Sequence, residues 1–307
     1  MRILPENLNV NFMGWRWLGF SVSGLFVLLS IILPLTIGLN FGIDFRGGIL
    51  IEARSAQSLD MAVMRETLDD LEMGEITLQQ FGNENDVLIR VQEQPGGEAA
   101  QQQAVQIIRE KLGKGFEFRR VETVGPKVGG ELKRAGSLAA LLAISAIGLY
   151  IWFRFEWQFG LAALIALAHD VITTIGIYAV TQVDFNLSTV AAVLTVAGYS
   201  INDTVVIFDR VREVRKKHRS LSTIDLLNRS ANETLSRTIL TSSSTFVAVL
   251  ALYLVGGEAL RSFSIGVLWG IIAGTYSSVG LACPLLIYFR LQRPTEIIPP
   301  KGKEVVG

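Results

Sequence analysis

Cysteine is almost missing from this sequence: Cys283 is the single one, and it lies inside an apolar run. No intramolecular disulfide and no thiolate metal site can form. Histidine is nearly as scarce, with only His169 and His218, which argues against a zinc centre. Charged residues make up 18% of the chain, below the quarter or so usual in a soluble domain. The 28 basic and 28 acidic residues cancel, so net charge draws the chain toward neither nucleic acid nor acidic partners. No nucleophile sits near a base in the sequence pattern and no metal-ligand spacing recurs, which argues against an enzyme and leaves no cofactor to expect. No Ala-x-Ala cleavage site follows the first apolar run, Leu18–Leu39, which also exceeds the roughly 7–15 residues of a signal-peptide core. That run reads as an uncleaved membrane span.

Half of the residues are hydrophobic, and they fall in blocks. A bilayer-crossing helix needs about 20 apolar residues. Six blocks qualify: Leu18–Leu39, Ser137–Phe153, Phe159–Thr181, Leu187–Phe208, Thr238–Val255 and Ser262–Phe289. An even number places both termini on one side. Arg2, Arg16, Arg154, Arg290 and Arg293 share that side with Arg210, Arg212, Arg215, Lys216, Lys217 and Arg219, whereas the opposite short loops offer only Arg261. The excess of basic residues predicts a cytoplasmic location for the first set. The expected organisation is a cytoplasmic N-terminus (1–17), a first span (18–39), an extracytoplasmic domain (40–134), a five-helix bundle (135–289) with a basic cytoplasmic loop at 209–237, and a cytoplasmic tail (290–307).

The inserted stretch reads as βαββαβ. Gly48–Arg54 is β-branched and short, Ser58–Leu71 has near-helical spacing with Ser58 as its N-cap, and Glu75–Phe81 and Asp86–Gln92 alternate around Gly82-Asn83. Glu98–Leu112 predicts a helix and Phe116–Val124 a last strand. That order predicts a ferredoxin-like α+β domain, a fold that by itself implies no activity.

Ionisable residues inside spans cost at least about 2.5–3.5 kcal/mol on insertion scales, so each calls for a reason. Asp203 falls roughly 9 Å inside the fourth span if that span ends near Asp209. Arg237, Thr241 and Thr245 open the fifth span from the same side. If the two helices pack together, these residues, with Asn202, form a polar seam. Arginine keeps its proton, whereas a buried aspartate can titrate near neutrality. The seam can therefore serve proton coupling, or it can be a static hydrogen-bonded packing cluster. His169-Asp170 lies near the midplane of the third span. Adjacent helical residues point in different directions, and Asp170 is either a relay member or a structural partner of another helix. Gly266, Gly270 and Gly274 form a small-residue ladder that lets a helix approach closely, either within the bundle or in a partner subunit.

Four segments carry a resemblance. They are Asn40–Gly48 (NFGIDFRGG), Val124–Leu132 (VGPKVGGEL), Ala197–Glu213 (AGYSINDTVVIFDRVRE) and Leu235–Ser242 (LSRTILTS). In this order, the chain resembles the SecD/SecF family of bacterial protein-export membrane subunits, on its SecF side, within the RND superfamily. The resemblance implies a plasma-membrane protein of six helices, similar to one half of an RND-type bundle, with SecD supplying the other half. It implies work beside the SecYEG channel, and YajC as a further associate, with protons as the coupling ion that helps preprotein finish crossing. It also implies that Asp203 and Arg237 take part in proton movement. Asp44, Arg46, Gly47 and Gly48 look like the family's junction between span and domain, which reads as structural because two glycines suit a tight turn. Two rival readings are a half of an RND-like small-molecule exporter and a structural scaffold without coupling. The first needs a larger extracytoplasmic part, and the second predicts that Asp203 is replaceable.

Overall fold

The computed structural model describes residues 9–289 and 291. Arg2, Arg290, Arg293 and the C-terminal tail expected at 290–307 (Leu291 apart) lie outside the described residues. In chain order the elements are α1 (Arg16–Thr36), α2 (Ile43–Arg46), β1 (Gly48–Ser55), α3 (Met61–Asp69), β2 (Ile76–Gln80), β3 (Asp86–Val91), α4 (Glu98–Leu112) and β4 (Phe116–Val124). Then come α5 (Pro126–Arg154), α6 (Trp157–Thr181), α7 (Leu187–Lys217), α8 (Thr223–Val255), α9 (Glu258–Ser277) and α10 (Cys283–Tyr288). A single π-helical stretch, Ser278–Ala282, joins α9 to α10, so the two make one span. Six helical spans are long and apolar enough to cross a bilayer.

The four strands form one antiparallel sheet in the order β2-β3-β1-β4. Ile49, Ile51 and Ala53 alternate onto one face with Val87, Ile89 and Val91, where Met64, Leu68, Ala104 and Ile108 of α3 and α4 cover them. Leu50 and Leu88 point the other way and pack on Ile43 of α2. The α3 helix begins later than its spacing predicts. Asp60, not Ser58, is its cap: the carboxylate accepts from the backbone N–H groups of Ala62 and Val63, and an ionised acceptor outcompetes a hydroxyl at that position.

The turn into β1 requires glycine. Gly47 and Gly48 have φ of 77° and 118°. A Cβ on Gly48 would lie 2.5 Å from the Val91 carbonyl oxygen. Ahead of this turn, residues 40–46 are tied to the loop between α6 and α7. Phe185 N–H donates to the Asn40 carbonyl at 2.7 Å, and Gly42 N–H donates to the Phe185 carbonyl at 3.0 Å. The Asp44 carboxylate accepts the N–H of Leu187, the first residue of α7, at 2.9 Å, which suits an anion at a helix N-terminus. Arg46 is exposed at this junction. Arg90 of β3 reaches down to Asp184 of the loop, and Asn40 Nδ2 donates to the same carboxylate at 3.1 Å. The domain therefore sits on the bundle through named polar contacts and the Phe41, Phe45 and Phe185 rings.

In the bundle, α6, α7 and the α9–α10 span form the interior. Burial covers 67% of the apolar window of α9–α10 and 56% of that of α6, against 11% for α1, α5 and α8. Residues 209–237, expected as a loop, are helical except for a turn at 218–222. Hydropathy registers only the apolar part of a helix, whereas charges paired one turn apart extend α7 and α8 past it. Arg210 pairs with Glu213, Glu213 with Lys217 and Arg229 with Glu233. Ser222 caps the start of α8 through the Asp225 N–H.

Candidate functional site in the bundle interior

Glycines bring α9 against α6 and α7. A Cβ on Gly266 would lie 2.0 Å from Tyr178 Oη, and one on Gly270 2.1 Å from Val196 Cγ2. At Gly274 the distance to Ser200 Cβ would be 3.1 Å. The ladder thus serves contacts inside this chain, where small residues let backbones approach. The contact level with Gly274 is where the polar groups gather.

Asp170 of α6 is fully buried there. Its Oδ2 accepts from the Ser200 hydroxyl of α7 and from the Ser277 hydroxyl of α9 at 2.7 Å. Its Oδ1 lies 2.8 Å from His169 Nδ1. The two neighbours, expected to diverge, meet because the imidazole is long enough to reach back over its own helix. Thr174 Oγ1 donates to the Asp170 carbonyl at 2.7 Å. His169 Nε2 is buried without a hydrogen-bond partner, and the ring centroid lies 6.2 Å from that of Tyr276. No lysine or arginine pairs with this carboxylate among the described residues.

Asp203 lies one turn further along α7, about 4.5 Å from Ser200 along the axis, and is 3% exposed. Among the described residues its side chain has one hydrogen-bond partner, Ser242 Oγ of α8, at the long limit of 3.5 Å. Ser242 also meets Thr275 Oγ1 of α9 at 2.7 Å and accepts from Tyr199 Oη at 3.2 Å. The expected partner, Arg237, makes no hydrogen bond or ion pair with Asp203. It is exposed on the outer face of α8. The helical phase explains this: Thr238 and Ser242, four apart, take the buried face, and Arg237 is turned about 100° away from Thr238. For the same reason Thr241 and Thr245 do not line the seam. Their hydroxyls donate back to the carbonyls of Arg237 and Thr241 at 3.0 Å. Asn202 is exposed beside Gly198 and Thr195 on the uncovered face of α7.

Ser242 belongs to the hydroxyl-rich stretch 241–245 that the sequence places level with Asp203, whereas Ser200, Thr275 and Ser277 escaped the sequence reading. Their signal was spacing: Ser200 stands three residues before Asp203, and Ser277 three after Gly274, so each shares a face with a residue already singled out.

The architecture defines a class before any name: a multi-pass helical membrane protein with a small α+β domain outside its bundle and carboxylates, not a catalytic constellation, at its centre. Residues 32–58 match the SecD/SecF GG motif, and residues 104–292 match the C-terminal model of protein export membrane protein SecD/SecF. The chain belongs to the SecD/SecF family of protein-export membrane proteins, on its SecF side. It is 48% identical over 296 residues to protein translocase subunit SecF of Rickettsia bellii, across 94% of this chain and 96% of that relative. It is 41% identical to the SecF subunit of Rhodobacter capsulatus, across 99% and 96%. The crystal structure of SecDF from Thermus thermophilus, a translocon-associated membrane protein, superposes with a TM-score of 0.83 at 34% identity. A super-membrane-facing form of SecDF gives 0.68 at 33%. The chain spans 92% and 94% of its own length in these two matches but only 39% of either SecDF chain. It is accordingly a non-enzymatic subunit of the protein translocase.

Proposed function

We propose that the chain couples the transmembrane proton gradient to the completion of preprotein translocation, with SecD as the other half of the membrane assembly and the SecYEG channel and YajC as neighbours. The carrying observation is Asp203. It is a buried carboxylate with, among the described residues, one long hydroxyl contact and no ion-paired cation. Such a group is costly to hold ionised in a bilayer, and it changes charge readily when its surroundings change. The uncovered faces of α7 and α8, with Thr195, Gly198 and Asn202 on one and Arg237 and Ser244 on the other, suit a second half-bundle. In that assembly Arg237 would meet a carboxylate across the seam, and the charge state of Asp203 would bias two arrangements of the bundle. The two SecDF forms, matched over 92% and 94% of this chain at different TM-scores, are in keeping with more than one arrangement. The basic ends of α7 and α8 would face the cytoplasm with both termini, and the domain would meet emerging preprotein on the outer side of the plasma membrane.

The test is export of a reporter preprotein, followed by pulse-chase in cells depleted of the native subunit and carrying Asp203→Asn. Asparagine keeps shape and hydrogen bonding but cannot titrate. Export should fail while the variant still accumulates and co-purifies with SecD. Normal export would leave Asp203 as packing and favour the scaffold reading.

A further inference from the structure

Asp170 is more deeply buried than Asp203, and the mechanism above does not use it. The contacts around it pose a charge problem. Ser200 and Ser277 both turn hydroxyls onto Oδ2, an arrangement that suits an ionised carboxylate. Among the described residues no lysine or arginine pairs with it. On α7 the nearby titratable residues are Asp203, one turn beyond Ser200, and Tyr199, which points to Ser242. On α9 it is Tyr276, whose hydroxyl is engaged by the Gly19 carbonyl at 2.6 Å. The α1 helix brings no ionisable residue between Trp17 and Thr36. Only His169 remains, with Nδ1 2.8 Å from Oδ1. An isolated charge in this medium is costly, and the imidazole is the group placed to share a proton with the carboxylate. The other ring nitrogen, Nε2, is buried without a hydrogen-bond partner among the described residues.

The surroundings join this pair to Asp203. Ser200 shares a face of α7 with Asp203. On α9, Ser277 touches Asp170 while Thr275, two residues back, touches Ser242, the hydroxyl that reaches Asp203. Toward the domain, Tyr178 and Thr174 continue the α6 face at four-residue spacing from Asp170. Tyr178 Oη donates to the Ser262 carbonyl at 2.9 Å. Ser262 lines a polar cavity of about 160 Å³ beneath the domain, together with Asp44, Asp184 and Glu258.

We propose that the His169–Asp170 pair is a second proton-holding station of the bundle, on the domain side of Asp203 and coupled to it through Ser200 and the α9 hydroxyls. The proposal rests on the proton-coupling reading for its use in export, but not for its existence. Asp170 takes up and gives back one proton with no other bond made or broken. Its charge state bears on Asp203 through Ser200 and the Ser277, Thr275 and Ser242 hydroxyls that lie between the two carboxylates.

The experiment is a pH titration by infrared difference spectroscopy of the full chain co-purified with SecD in lipid nanodiscs, following the protonated-carboxyl C=O stretch and its shift in deuterium oxide. Wild type should show two carboxyl components. Asp170→Asn should remove one and displace the titration of the other, as expected for coupled sites. Asp203→Asn should remove the other. Ser200→Ala and Ser277→Ala keep both carboxylates, and should shift the Asp170 carboxyl band, whose hydroxyl donors they remove. These two variants carry the test if Asp170→Asn does not accumulate. A band and midpoint that ignore Asp170→Asn, or both serine variants, overturn the station. Two coupled bands together with normal export in Asp203→Asn would keep the station and sink the proton-coupling reading instead.

Discussion

The domain and the bundle each bury carboxylates, and they settle the charge in different ways. In the domain, Asp86 receives a two-pronged fork from Arg54, Nε to Oδ1 at 2.5 Å and an Nη to Oδ2 at 2.6 Å. Asn83 adds a bond at 3.2 Å, and Arg119 stands 3.8 Å away. The Arg54 hydrogen bonds hold the Asp86 carboxyl below its ordinary value against the opposing effect of burial, and the pairing raises the already high value of Arg54. In the bundle, Asp170 and Asp203 are met by hydroxyls and an imidazole, with no guanidinium in contact. A cation fork fixes a charge over the whole physiological range. Hydroxyls and imidazole accommodate either protonation state, because each can donate or accept. The difference separates a carboxylate that holds a fold together from one that can switch.

The largest effect should come from prising the bundle apart. Gly270→Leu places its first side-chain carbon inside the van der Waals radius of Val196, a β-branched core residue that has nowhere to go. Overpacking costs about 1–3 kcal/mol or more, far beyond the roughly 1 kcal/mol a helix gains when glycine is replaced. Size-exclusion profiles in detergent with a thermal ramp should show loss of monodisperse protein. A stable variant would mean that α9 does not pack here as described.

Arg54→Leu comes next and probes the other half of the comparison. It leaves Asp86 buried without its fork, so the domain should melt at a lower temperature at neutral pH. The sign with pH follows from the depressed Asp86 value. Its stabilising contribution is full above the unfolded aspartate value of about 3.9 and is lost as pH falls through the lower folded value. The gap between variant and wild type should therefore be widest near neutrality and close in acid. Limited proteolysis of the domain within the full chain reads this directly, and a gap that grows on acidification would contradict the assignment. A smaller loss is expected for Asp184→Ala, which frees Arg90 and Asn40 from the bundle and leaves them partly exposed, where water replaces the lost partner. Its signature should be faster protease cleavage at the 38–47 junction with the domain itself intact.

Legibility in the sequence followed the same divide. Domain strands and helices are marked by turn residues and alternation, so Glu98–Leu112 and Phe116–Val124 read directly. Membrane spans are marked by hydropathy, which locates six of them but misses where each helix ends: α8 starts at Thr223, well before the apolar block at Thr238. The seam was hardest. Spacing shows which residues share a face of one helix, but not which face turns inward. Thr238 and Ser242 differ from Arg237 and Thr241 by one position, and that offset moved Arg237 from the expected contact to the outer surface.

The smallest expected effect tests that offset. Thr241→Val removes a hydroxyl that bonds only to its own helix, so stability should move by no more than about 0.5 kcal/mol and export should be unchanged. Ser242→Ala, one residue on, removes the bond to Asp203 and the links to Thr275 and Tyr199. It should leave folding nearly as it was, because alanine favours helix, yet slow export and move its pH profile. Paired pulse-chase measurements at several external pH values decide between them. If Thr241→Val slowed export as much as Ser242→Ala, the working arrangement would have α8 rotated by about 100°, which would bring Arg237 back toward Asp203.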